Sequence, residues 1–221
     1  MIDNILSLIA PHHCCGCDKI GSLLCGDCKY NIVSEPKMVC IVCHLPTGNT
    51  WICKTCRMPY ERVWVVGERG GVLQRLIGLY KFERAKSAYK SLGDLLLETL
   101  PELPANTVIV PVPTTPSRIR ERGYDHMLLI AKYVAKARNL KCEQLVYRKT
   151  NTKQRQSTAK QRSVQAKQAF AVRGSIDEFK TYLLIDDVVT TGSTIKYAAK
   201  ALRDAGAKHV WVAVIARQTL D

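Results

Sequence analysis

Two groups of residues in this 221-residue chain have types and spacings suited to chemistry. Eight of the ten cysteines form four CxxC pairs, Cys14/Cys17, Cys25/Cys28, Cys40/Cys43 and Cys53/Cys56. A CxxC turn aims two thiolates at one ion, and two such turns close a tetrahedral zinc site. Seven residues separate the first two pairs and nine the last two, so sequential pairing around two zinc ions is the simplest arrangement, with a cross-braced pairing as the alternative. Ligation by four thiolates leaves no open position for water, so the expected metal is structural. That suits a segment of about 60 residues, which buries too little apolar surface to fold unaided. Cys15 and Cys142 read as packing residues.

The second group is the run from Tyr182 to Thr194, YLLIDDVVTTGST. An apolar strand runs into Asp186 and Asp187, and a short loop from Val189 through Thr190, Thr191, Gly192 and Ser193 then opens a helix at Thr194. Amides at such a turn, together with the positive end of the helix dipole, make a cradle for a monophosphate, and Gly192 permits close approach. The hydroxyls of Thr190, Thr191, Ser193 and Thr194 add donors. Two carboxylates near that cradle can accept hydrogen bonds from vicinal hydroxyls, the relation found in a 5-phosphorylated ribose. The competing structural reading has the aspartates merely end a strand and the threonines cap a helix. Neither GxxxxGK[ST] nor GxGxxG occurs, which disfavours a P-loop or a dinucleotide fold.

The elements that must position these groups follow from periodicity. Val63 to Val66 predicts a short strand. Leu73, Leu76, Ile77 and Tyr80 predict a helix from Val72, and a second helix is expected from Ala85 to Leu100. Thr107 to Val110 predicts a strand, and Pro111 to Arg122 a basic loop. Met127, Ile130, Ala131 and Val134 mark one face of a helix, and Leu145 to Tyr147 suggests another strand. Tyr182 to Ile185 predicts a buried strand, and Ile195, Ala198, Leu202 and Ala205 the helix after the glycine loop. His209 to Ile215 predicts the last strand. Alternating strands and helices give an α/β fold with a parallel sheet, and ligands of such sheets sit beyond the carboxyl ends of the strands. The cysteine pattern stops near Pro59, so a module over 1–60 and a main domain over 61–221 are expected.

Lysine and arginine total 33 against 19 acidic residues, a formal charge of +14. Residues 1–60 hold five basic and four acidic side chains, so nearly all the excess falls on the main domain. Arg148 to Arg173 carries eight basic residues, five glutamines and no acid. Such a surface draws phosphate-bearing partners, polynucleotide or sugar polyphosphate. Apolar runs such as Val210 to Ala216 fall far short of the roughly 18 to 20 residues of a membrane span. Asp3 and a short apolar stretch at Met1 to Ala10 are unlike a secretory signal, so a cytoplasmic location is expected.

The Leu184 to Thr194 segment resembles the phosphoribosyl pyrophosphate motif of type I phosphoribosyltransferases. Together with the four CxxC pairs, Pro111-Val-Pro113, the RIRERG run from Arg118 to Gly123 and the terminal strand, the chain is similar to the ComF-like competence family over nearly its whole length. The resemblance implies a parallel-sheet phosphoribosyltransferase core behind an N-terminal double zinc ribbon. It further implies ribose contacts from Asp186 and Asp187, a 5-phosphate held by Val189 to Thr194, and a loop at Val112, Pro113, Thr114 and Thr115 that meets pyrophosphate and Mg²⁺. Arg118, Arg120 and Arg122 would neutralise the departing pyrophosphate, with Lys81 as a further cation. The segment after Tyr147 corresponds to a loop that closes over the site. Asp125 and His126 stand where the family usually carries amides, and His126 alone reads as a helix-face histidine. The implied activity is pentosyl transfer in DNA uptake during competence. The alternative is a non-catalytic module that handles single-stranded DNA and binds a helicase or other DNA-processing partner through its zinc ribbons. A purine or orotate salvage enzyme ranks behind both.

Overall fold

The computed structural model describes residues 12–33, 38–48, 50–83, 85–149 and 170–218. After a helix α1 (Gly26–Val33) within the cysteine-rich segment, the chain runs β1 (Arg62–Glu68), α2 (Gly71–Phe82), α3 (Ala88–Thr99), β2 (Thr107–Pro111), α4 (Pro116–Arg122) and α5 (His126–Ala137). It continues through β3 (Lys141–Cys142), β4 (Val146–Arg148), β5 (Phe170–Val172), β6 (Thr181–Val189), α6 (Ser193–Asp204) and β7 (His209–Arg217).

Five strands form one parallel sheet in the order β1-β7-β6-β2-β3. Because side chains alternate across a strand, each face of this doubly buried sheet collects its own core. Ile109, Leu183, Ile185, Ala213 and Ile215 face a layer built by α2, α3 and α5. Val108, Val110, Tyr182, Leu184, Val212 and Val214 face α6. The second layer also takes in Ile41 and Trp51 from the cysteine-rich segment, both almost fully enclosed.

Several sequence expectations shift. The predicted basic loop at 111–122 is a loop only to Thr115. Pro116 then opens α4, and Gly123, at φ 83°, ends it by returning its N–H to the Ile119 carbonyl. Proline at a first helical turn and glycine just past the end are ordinary helix punctuation that the density of arginines obscures. The strand expected at Leu145 to Tyr147 lies at Val146–Arg148, outside the parallel sheet and paired antiparallel with β5. β6 runs four residues beyond Ile185, so both aspartates belong to the strand itself.

Gly93 lies in α3 where a Cβ would sit 2.3 Å from Cδ1 of Tyr133, whose hydroxyl donates to Asp94 at 2.6 Å. Glycine thus lets α3 and α5 approach. Gly93→Ala is expected to lower stability by roughly 1–3 kcal/mol through overpacking, despite gaining about 1 kcal/mol of helix propensity. Denaturant melts read the sign directly, and a stabilised variant would show that the ring yields freely.

Candidate functional site

The site forms beyond the carboxyl ends of β2 and β6. Pairing between them continues past β2, where the Val112 N–H donates to the Ile185 carbonyl at 2.9 Å, fixing the Val112 to Thr115 loop beside the aspartates. Gly192 takes φ 70°, a conformation costly for residues with a Cβ, and starts α6. Asp186, Thr190, Thr191, Gly192, Ser193 and Thr194 line one small cavity of about 30 Å³ together with Val188, Val189 and Ile195. Thr191 Oγ1 lies 2.9 Å from Ser193 Oγ and also accepts the Ser193 N–H.

Strand alternation sends the two carboxylates to opposite sides. Asp186 faces the loop cavity, and its Oδ1 accepts the Asp187 N–H at 2.9 Å. Asp187 turns toward α2 and α5, where its Oδ2 receives Lys81 Nζ at 2.6 Å and His126 Nε2 at 2.5 Å. Arginine offers no acceptor, so the Arg122 Nη1 contact at 2.9 Å makes His126 Nδ1 the acceptor and places the ring proton on Nε2, donating to Asp187. His126 is therefore a buried positioning group with both nitrogens engaged. Thr114 Oγ1 lies 3.1 Å from the same Nδ1 and donates to Asp125 Oδ1 at 3.0 Å, while Asp125 caps α5 by accepting the Leu128 N–H.

These surroundings drive the carboxylates apart. Burial, and then the charge of Asp187, pushes Asp186 up to about 7, against the pull of the Asp187 N–H, Lys81 and Arg148. Burial also opposes ionisation of Asp187, but the His126 N–H and the Lys81 ammonium outweigh it and hold that carboxyl well below the usual carboxylate range. Two neighbouring acids with separated affinities are a recurrent mark of functional sites.

The remaining candidates divide. Val112 is buried, and Pro113, Thr114 and Thr115 line a cavity of about 500 Å³ into which Arg148, Lys149 and Arg173 also project. Arg118 is exposed and shares another cavity with Lys81 and Asp187, whereas Arg120 is exposed and lines none of these three spaces. Arg122 is turned inward, donating through Nε to the Lys81 carbonyl and through Nη1 to His126. Lys81, only a secondary candidate from sequence, sits on Asp187. Arg148, which sequence reading treats as the start of a basic loop, is half-buried, donates from Nε to the Pro113 carbonyl and stacks on Phe170. Most of the loop expected to close over the site, residues 150–169, lies outside the described residues.

The cysteines gather as Cys14/Cys17/Cys25/Cys28 and Cys40/Cys43/Cys53/Cys56, the sequential pairing, with the four sulfurs of each set within 4.8 Å of one another. Sulfur separations of 3.6 Å for Cys17–Cys25 and 3.8 Å for Cys40–Cys56 match the roughly 3.8 Å edge of a tetrahedron built on Zn–S bonds near 2.3 Å. No disulfide joins them. The two sets repeat one turn: the residue after the first pair, Asp18 or His44, has φ 60° and returns its N–H to the carbonyl of Cys14 or Cys40. Each set can hold one zinc ion. The second turn packs against the glycine loop, since Val42 Cγ2 lies 3.5 Å from where a Cβ on Gly192 would stand.

Against known proteins, the phosphoribosyl transferase domain family matches residues 129–219. Competence protein F of Haemophilus influenzae is 30% identical over 216 residues, covering 92% of this chain and 90% of its own. The chain belongs to the ComF-like competence family. Within it, Competence protein ComFC of Streptococcus pneumoniae is 29% identical, covering 86% of this chain and 85% of its own. DNA utilization protein YhgH of Escherichia coli K12 is 28% identical, covering 88% and 90%. Among solved structures, orotate phosphoribosyltransferase from Aeropyrum pernix aligns over 64% of this chain and 62% of its own at 23% identity and TM-score 0.38.

The folded-state affinity of Asp186 for a proton exceeds that of an unfolded aspartate, so the stabilisation it confers is present below about pH 4 and lost as pH rises through about 7. Asp186→Asn removes that loss and keeps an oxygen for the Asp187 N–H. Its melting temperature should exceed the parent's at about pH 8 by roughly 2–4 °C per kcal/mol relieved, with the difference closing near about pH 4. A variant less stable at the higher pH would contradict the assignment.

Proposed function

We propose that this chain binds phosphoribosyl pyrophosphate with Mg²⁺ at the β6 carboxyl end and acts as a phosphoribosyltransferase-like protein in DNA uptake. The observation that carries the reading is the shared cavity of Asp186 and the Thr190 to Thr194 loop at the start of α6. A 5-phosphate takes the loop amides and hydroxyls, and Asp186 accepts from the adjoining ribose diol. The pyrophosphate then falls toward Val112 to Thr115, where Arg148, Lys149 and Arg173 supply positive charge.

Transfer breaks the C1–O bond to pyrophosphate, which leaves with the electron pair as a nucleophile bonds to C1. Fixed charge does most for such a step. Among the described residues only the two cysteine sets group three or more metal-ligating side chains, so Mg²⁺ fits here as an ion brought by the pyrophosphate and helped by Asp186 or Asp187. When bound it neutralises charge on the leaving group. Arg118 supplies positive charge beside Asp187. Arg122 and His126 act through Asp187, positioning it. Structural zinc in both cysteine sets, division of the chain near residue 60 and a cytoplasmic setting belong to the same reading. The relatives' names, competence protein and DNA utilization protein, support the role in DNA handling, with DNA-processing proteins as partners.

Calorimetry tests it. Phosphoribosyl pyrophosphate with Mg²⁺ should bind the parent chain, Asp186→Asn should weaken binding by at least about tenfold, as expected for lost charge-assisted hydrogen bonds, and Asp186→Asn with Asp187→Asn should weaken it further. No heat with the parent, or equal affinity in the variants, would overturn the reading.

A further inference from the structure

A groove of about 600 Å³ lies between α3 and α5, and none of the residues lining it borders the cavities at the strand ends. Leu129, Tyr133 and Ala137 stand four apart on α5 and form an apolar row along it. Tyr89 of α3 meets Tyr133 edge-on, with ring centroids 5.6 Å apart, and Gly93 lets the two helices close on that ring. Every charged residue lining the groove is a cation: Lys90 from α3, and Lys132 and Lys136 from α5.

Local electrostatics oppose that placement. Lys90 sits in the first turn of α3, where the positive end of the helix dipole disfavours a cation. Lys132 and Lys136 stand four apart on one helix, the spacing at which like charges repel. All three are exposed and, among the described residues, none forms an ion pair. Asp94, four residues after Lys90 and so placed to neutralise it, instead accepts the Tyr133 hydroxyl at 2.6 Å. Only Lys136, in the last turn of α5, gains from a helix end. Three unpaired ammonium groups beside an apolar row suit an anionic partner that also carries an apolar face.

We infer that this groove docks an acidic amphipathic helix of a partner protein, with its apolar side chains along Leu129, Tyr133 and Ala137 and its carboxylates on Lys90, Lys132 and Lys136. The row from Leu129 to Ala137 rises about 12 Å, the length of about two turns of a guest helix laid along it, as in helix-in-groove recognition. Carboxylates fit this surface better than a polynucleotide does. No arginine lines it to fork onto phosphates, and Arg138, the next residue along the chain, donates to the Leu97 and Leu100 carbonyls. The two tyrosine rings are half-buried against each other, which leaves little free face for stacking bases. This surface uses no residue of the sugar-phosphate site, so the two stand independently.

Fluorescence anisotropy on the full chain tests it with one labelled, helix-forming peptide that carries leucines at i, i+3, i+4 and i+7 among glutamates. The parent should bind it. Lys90→Glu and Lys132→Glu should each weaken binding by about tenfold or more, as expected when a like charge replaces a partner. The same peptide with serines in place of its leucines should lose at least as much. Lys90→Glu should melt no lower than the parent, because an acid suits the first turn of α3, which separates lost docking from lost folding. Affinity for phosphoribosyl pyrophosphate should be unchanged in both variants. No binding to the parent, parental affinity in either variant, or equal affinity for the serine peptide overturns the inference. So does a short single-stranded oligonucleotide that displaces the peptide and itself loses affinity in both variants, since the groove would then be a polynucleotide surface.

Discussion

The structure depends on the register of one strand. β6 is hydrogen-bonded on both sides, by β2 through Thr181 to Ile185 and by β7 through Thr181 to Val189, and it outruns β2 at its carboxyl end. That overhang brings Asp186 and Asp187 to the edge of the sheet while their backbone is still held. Because side chains alternate, a slip of one residue would exchange the two carboxylates between faces and drive the apolar set of the strand into the wrong cores. The burial of Tyr182, Leu183, Leu184 and Ile185 on both faces is what forbids that slip.

Around this strand, charge is arranged asymmetrically. Asp187 is satisfied by Lys81 from α2 and by His126 from α5, the latter fixed by Arg122. Asp186 is enclosed with weaker compensation, so its ionised form is costly until something else supplies positive charge or donors. An acid so weakly compensated costs the folded chain stability once it ionises. The two cysteine sets take different sides of the same centre. The first borders the cavity beyond Asp187, and the second sets Ile41 and Val42 behind the glycine loop. Metal in the second set would therefore stiffen the loop that α6 begins from, a packing role beyond local folding.

Much of this was legible from residue order. The buried strands, the amphipathic helices α2, α5 and α6, the CxxC spacing and the glycine loop all carry local signals that tertiary packing reinforces. Less legible was anything decided between distant segments. The extension of β6 through Val189 depends on pairing with β7, and an Asp-Asp pair lowers local strand propensity. Sequence gives Lys81, Arg122 and His126 no reason to converge, yet Lys81 and His126 meet on one carboxylate and Arg122, from a third element, holds both from behind. Arg122 shows the converse, since its place in an arginine-rich run suggests a free cation and burial makes it a support. The β4–β5 pair carries no local signal as a unit, because Val146–Arg148 and Phe170–Val172 are short and far apart in sequence.

The central claim is that the amides opening α6 and the Asp186 carboxylate hold one sugar monophosphate. Backbone amide chemical shifts followed during titration with ribose 5-phosphate test it most directly. The largest shifts are expected at Thr190 to Thr194, with Asp186 and Asp187 following. Shifts confined to other surfaces, with the glycine loop unmoved at saturation, would contradict it.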